Sequence, residues 1–447
     1  MGSDKIHHHH HHMTFEEFKD RLFALAKKNG VEVQISFLET REFSLRLANG
    51  DLDQYTDAGK FNVEIKVLKD GKTGTFRTQV LENPEKCFEE ALSNLQVKDS
   101  EEKEYFFEGG KEYREMETYV GRFEKLSVKE KMDMAKKAHE SAAKDERVVM
   151  VPTVMYKDMV IKKIITNTLG LDVESQMDGG FLFAMAIARD ANPRSGSWYE
   201  LARTPEDLNP EEIGKRAAEE AISLIGSKTI PSGKYPVLMR NTALLDLMEM
   251  FIPMISAENV QKNLSPLKGK LGEQVGNPAV SIKDLPYHPK GLSSTPFDDE
   301  GVPTTEKFVL ENGVLKTFLH NLKTARKEGV EPTGNGFVGG IRPVNLMLMP
   351  GEKSFEELLK EMDRGVVITE VEGMHAGANS ISGEFSLFAK GYWVENGEIA
   401  HGVEDITISG NFLDLLRKIV LVGNDVKVSQ HTIAPSVLVE VLDVAGK

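Results

Sequence analysis

The feature that most constrains this chain is a period-two alternation near its start. Val31, Val33, Ile35 and Phe37 alternate with polar residues, then Phe43, Leu45 and Leu47, then Phe61, Val63, Ile65 and Val67. Successive side chains of a strand point to opposite faces, so this spacing commits the segments to β-structure. Asn49-Gly50 and Lys69-Asp70-Gly71-Lys72 separate the runs, and both are hairpin chemistry. The expectation is an antiparallel meander with one buried face. A helix carrying Phe15, Phe18, Leu22 and Leu25 precedes it, and a second follows Pro84 with Phe88, Ala91, Leu92 and Leu95. Ser127-x-x-Glu130 is a capping box that opens a third.

The pattern then continues in kind. Strands are expected over 148–156, 160–169 and 181–189, and a helix over 210–225. The charged stretch 97–117 reads as a surface connection held down by Tyr105, Phe106 and Phe107. A Pro/Gly/Ser linker over 228–236 marks a boundary, and strand signals dominate beyond it. The expected fold class is therefore α+β, with mixed, mainly antiparallel sheets. Two domains are expected: an N-terminal α+β domain over 13–227 and a strand-rich C-terminal domain over 228–447, with an expression tag at residues 1–12. Residues 253–301 are rich in proline and glycine and show little periodicity. Loops this long are usually functional or touch a partner.

Charge and cysteine content narrow the function. The net charge of −15 repels phosphate backbones, so direct nucleic-acid binding is disfavoured. No apolar run approaches the length of a membrane span, and no signal peptide follows Met13. The one cysteine, Cys87, fits a reducing compartment and reads as a packed or partly exposed thiol rather than a nucleophile. A cytoplasmic location is expected.

For function the stretch 372–398 stands out. It sets glycines and alanines among polar residues and leads into a hairpin through Glu395-Asn396-Gly397. His375, Asn379, Ser382, Gly383 and Glu384 are the candidate substrate-binding residues, and residues 381–385 are a candidate for strand addition to an extended peptide. Catalytic signatures are absent. His139-Glu140-Ser141-Ala142-Ala143 lacks the second histidine of a zinc motif and reads as a surface helix. Gly334-Asn335-Gly336-Phe337-Val338-Gly339 follows no expected strand and opens no helix, so it reads as a flexible loop. Asp298-Asp299-Glu300 reads as a solvated acidic turn. Ser382-Gly383 has no visible base.

Several stretches together resemble the TldD/TldE (PmbA) family. They are G-L-S-S-T-P-F-D-D-E-G-V-P-T over 291–304, L-E-N-G-V-L-K-T-F-L over 310–319, Thr324-Ala325-Arg326-Lys327, Ser382-Gly383-Glu384-Phe385-Ser386, the run 391–399, and Val422-Gly423-Asn424-Asp425. The resemblance implies a cytosolic metallopeptidase complex acting on unfolded or extended peptides. TldD-type subunits carry an H-E-x-x-x-H zinc motif and a later cysteine. Here the corresponding helix reads N-T-A-L-L-D-L-M-E-M-F over 241–251, without histidine, and no cysteine follows Cys87. This departure points to the TldE/PmbA type. The expectation is a chain with no catalytic residue and no metal of its own, joined to a TldD-type partner that carries zinc. A second expectation is a stand-alone homodimeric binding or modulator protein without proteolysis. A third is an atypical metal site built from His288, His375 and Glu384.

Overall fold

The computed structural model describes residues 13–95 and 102–446. The expected tag, and residues 97–101 of the expected charged connection, lie outside the described residues. Helix α1 (Phe15–Lys28) leads into β1 (Glu32–Ala48), β2 (Asp51–Lys69) and β3 (Lys72–Thr78). Asn49 and Gly50 take φ of 51° and 87°, and Asp70 and Gly71 take 52° and 77°. Positive φ at both central residues gives the turn a twist that matches the flanking strands. After α2 (Pro84–Ser93) and α3 (Val128–Ala143), β4 (Val148–Asn167), β5 (Asp172–Ala188) and β6 (Arg194–Ala202) extend the sheet. Its order is β3-β2-β1-β4-β5-β6, antiparallel throughout. The expected capping box of α3 is present, Ser127 and Glu130 each satisfying the other's backbone N–H.

Four helices cover one face of this sheet. Phe18 and Leu22 of α1 and Phe88 of α2 pack on Val33, Ile35 and Phe37. Farther along the same face of β1, alanines of α3 and of α4 (Pro210–Ile222) pack on Phe43 and Leu45. The opposite face is not left to solvent along its length. Along β1 and β2 burial alternates, as expected of a meander with one buried face, whereas along β4, β5 and β6 the opposite face turns toward the second half of the chain.

That second half opens with β7 (Gly233–Met239), which begins inside the expected linker and runs past its end, and α5 (Asn241–Met248). One six-stranded sheet joins β8 (Ile282–Asp284), β9 (Lys307–Glu311) and β10 (Val314–Leu315) to later strands. A separate small hairpin pairs β11 (Gly336–Phe337) with β12 (Gly340–Ile341), where a flexible loop was expected. The later strands are β13 (Leu346–Leu348), β18 (Lys427–Val428) and β19 (Thr432–Ala434), giving the order β10-β9-β8-β13-β19-β18. The third sheet runs β16-β15-β14-β7-β20-β17. It is formed by β14 (Gly365–Glu372), β15 (Glu384–Glu395), β16 (Glu398–Asn411), β17 (Ile419–Val422), β20 (Val437–Ala445) and β7. Two pairings are parallel, β7 with β14 and β13 with β19. Thr407, Ile408 and Ser409 of β16 also pair with β20. This closes five strands into a ring and covers edges that β16 and β20 would otherwise leave open there.

The halves are tied by specific bonds. Tyr105 donates to the Leu322 carbonyl at 2.8 Å and Tyr113 to the Gly301 carbonyl at 2.5 Å, so aromatics anchor the charged connection as expected. The buried Arg203 guanidinium donates to the carbonyls of Thr118, His288 and Gly291.

Candidate functional site

Between the open face of the first sheet and the second half lies a cleft of about 770 Å³. Its floor follows from strand periodicity. Met155, Lys157, Met159, Ile161 and Lys163 of β4 project from one face, opposite Phe183, Phe181, Gly179, Met177 and Ser175 of β5. Tyr199 and Leu201 continue the floor onto β6. Methionine side chains are unbranched and polarisable, so such a floor adapts to apolar groups of different shape. The roof comes from residues 292–296, from Phe337 and Arg342, from residues 429–431, and from Asp246 on α5. The proline- and glycine-rich segment expected to be functional thus supplies part of the roof.

The polar groups of the cleft are few and each has an environment. Asp246 points off the outer side of α5, keeps solvent access, and is pushed up to about 6 by crowding of the walls and then by the Glu370 charge. His431 is pushed down to about 4 by burial and by Arg342, so the ring is neutral at physiological pH. Its Nδ1 lies 3.0 Å from Ser293 Oγ, which also donates to the Gln430 carbonyl at 2.8 Å. Lys163 pairs with Asp299 and sits 5.3 Å from the centre of the Phe297 ring. A polar side branch of about 180 Å³ shares Phe183, Tyr199 and Asp246 with the cleft. It holds Lys427, which lies 4.0 Å from the Trp198 ring centre and is pulled down to about 8 by burial.

The acidic turn is not solvated, contrary to expectation. Asp298 is fully buried and accepts the backbone N–H groups of Glu300, Val302 and Gly336. Burial still pushes it up to about 6, and the half-buried Glu300 beside it, desolvated and repelled by Asp298, up to about 7. Glu300 accepts the Leu322 N–H at 3.0 Å. These carboxylates fix the roof loop to the β11–β12 hairpin and to the helix Leu322–Glu328.

His375, Asn379, Ser382, Gly383 and Glu384 come together at the surface, on the short helix Met374–Gly377 and the loop into β15. None of the five lines the cleft or its branch. The loop is closed on itself. Asn379 Oδ1 accepts the N–H groups of Ile381 and Ser382, the Asn379 carbonyl accepts that of Gly383, and Ser382 Oγ accepts that of Glu384. These N–H groups are thus bonded within the loop and are not free donors for the strand addition expected over 381–385. From the same stretch it is Lys390 and Tyr392 that reach the side branch. The missed signal was the β4 run itself: in V-M-Y-K-D-M-V-I-K-K over 154–163, both alternating positions carry apolar residues, so both faces of that strand are covered.

No zinc ligand set forms where the resemblance would put one. Helix α5 offers Asn241 and Asp246, and Glu249 follows at its end, whereas zinc needs three or four ligands held in place. Among the described residues no three His, Cys, Asp or Glu side chains gather to hold a metal ion. His288, His375 and Glu384 are not brought together as such a set. His139 is half-buried on α3 rather than at the surface, and Cys87 is buried.

A long helix-backed antiparallel sheet, facing a barrel-bearing body across an apolar cleft, defines a multidomain α+β protein. The first, central and C-terminal domain models of the PmbA/TldA metallopeptidases match residues 33–95, 121–225 and 232–446. The metalloprotease PmbA of Escherichia coli O157:H7 is 32% identical over 325 residues, 72% of this chain and 71% of that protein. The chain belongs to this family. A metalloprotease of Methanothermobacter thermautotrophicus is 29% identical over 86% of each chain. Among solved structures, a candidate modulator of a DNA gyrase from Thermotoga maritima is 99% identical, covers 97% of this chain and 100% of its own, and superposes with a TM-score of 0.95. TldE from Thermococcus kodakarensis shares the fold at 24% identity, with a TM-score of 0.87 over 96% of this chain and 100% of its own. Among the described residues no helix is long and apolar enough to cross a membrane.

Proposed function

We propose that this chain is a TldE/PmbA-like subunit of a heteromeric, cytoplasmic zinc metallopeptidase. Its task is to bind extended peptide and wall the reaction chamber, while a TldD-type partner carries the zinc and cuts. The observation that carries the reading is the cleft. Its volume lies in the range of ligand sites, its floor is rich in methionine and phenylalanine, and the α5 helix beside it presents the carboxylate of Asp246 and no histidine. Family membership supplies the reaction class; the donor chemistry of α5 supports placing the metal in the partner. The five surface residues around His375 take no part in gripping peptide in this reading.

The test uses tag-free protein, because the histidine run itself binds metals. Metal analysis should find no stoichiometric zinc, and the chain alone should leave an unfolded protein substrate intact. Added to a TldD-type partner, it should produce zinc-dependent cleavage. Zinc-dependent cleavage by the purified chain alone would sink the proposal.

A further inference from the structure

The charges of the cleft can be matched one against another. Lys157 pairs with Glu42 at 3.0 Å and Lys163 with Asp299. In the side branch Arg240 pairs with Glu220 and Lys390 with Glu370 at 3.1 Å. Lys427 donates to the Tyr199 carbonyl at 2.8 Å and lies 3.7 Å from Glu200. Two charges remain. The Asp246 carboxylate forms no hydrogen bond or ion pair among the described residues. Arg342 donates to the Pro343 carbonyl at 3.1 Å and lies 3.9 Å from the Phe337 ring centre, but has no carboxylate in ion-pair reach among the described residues. The two are not paired with each other, and both open on the same volume.

A confined apolar space with one uncompensated carboxylate and one uncompensated guanidinium is complementary to a ligand carrying the opposite pair. Guanidinium meets a carboxylate in a planar fork, and a carboxylate accepts an ammonium. Each charge is crowded by apolar walls, so leaving either unmatched in a filled cleft costs more than it would at the surface.

We propose that the cleft takes a short peptide by its two free ends, the terminal ammonium on Asp246 and the terminal carboxylate on Arg342, with apolar side chains on the Met155–Met159–Phe181 floor. This rests on the peptide-binding reading above. It narrows the ligand from any extended chain to oligopeptides with both termini free. Internal Lys and Glu side chains could present the same two groups, and the test separates these sources.

The experiment is calorimetric titration of the tag-free full chain. The probe is a short peptide of alanine, leucine and phenylalanine in four end states: free, N-acetylated, C-amidated and doubly capped. Either cap should weaken binding roughly tenfold or more. Asp246→Asn should abolish the effect of acetylation and leave that of amidation; Arg342→Gln should do the reverse. Should Arg342→Gln fail to fold, acetylation and Asp246→Asn still decide the ammonium half, and amidation of the wild-type ligand decides the other. Equal binding of all four end states overturns this proposal and leaves peptide binding standing. A doubly capped peptide with internal Lys and Glu that binds as tightly as the free one overturns the terminal assignment. Failure of every peptide to bind overturns the peptide reading, and this inference with it.

Discussion

Replacing Glu300 by glutamine should make the protein more stable at alkaline pH and leave it unchanged in acid. Glu300 sits under the cleft's roof, where burial and then the Asp298 charge push its carboxyl from 4.5 up to about 7. A carboxyl raised on folding favours the neutral form. Its contribution is fully present below the unfolded value and is lost as pH rises through 7. At about 1.4 kcal/mol per pH unit, ionising it in the folded state costs on the order of 3 kcal/mol by about pH 9. Glutamine keeps the shape and still accepts the Leu322 N–H that Glu300 Oε1 accepts at 3.0 Å, but has no charge to desolvate. Guanidinium unfolding of the wild type and Glu300→Gln should give superimposable midpoints at about pH 4 and a higher midpoint for the variant at about pH 9. Equal shifts at both pH values would refute the reasoning, because the effect would then be packing and not ionisation.

Met159→Asp should weaken peptide binding roughly tenfold with little change in melting temperature, since it sets a charge on an apolar floor that already has solvent access; calorimetry and a thermal scan check both halves. His375→Ala should leave peptide affinity within about twofold, as for any exposed residue away from the cleft, and a larger loss would return the site to the surface loop. Gly391→Ala should destabilise the barrel by roughly 3 kcal/mol or more, because an added Cβ would stand 1.7 Å from the Val367 carbonyl oxygen; soluble yield and denaturation midpoint report it.

Local structure was largely legible. The alternation from Val31 to Val67, the turn at Asn49-Gly50 and the capping box at Ser127 are interactions between residues near in sequence, and each formed as read. The turns at Asn312-Gly313 and Asn396-Gly397 also take positive φ. What stayed hidden depends on distant partners. Nothing local to Met155, Met159 or Phe181 says that residues 292–296 and 429–431 will roof them. Asp298 looks solvated in a run of acids until Gly336, nearly forty residues on, donates to it. The glycines and polar residues around His375 suggested a site, yet their job is met locally, by Asn379 capping its own loop.

The ring of strands in the second half has a kinetic consequence. β7 pairs with β20 at Val237 and Val439, about 200 residues apart, and β20 must also reach β16. The helix-backed first sheet draws all its strands from residues 32–202, so it can assemble while later residues are still being synthesised. The ring cannot. Its apolar staves, Val366, Ile368, Phe385 and Leu387, have to wait for β20. Non-local pairing of this kind makes folding slow and leaves strand edges open to aggregation in the interval. A pulse of protease during refolding should therefore cut residues 233–445 long after 32–202 have become resistant.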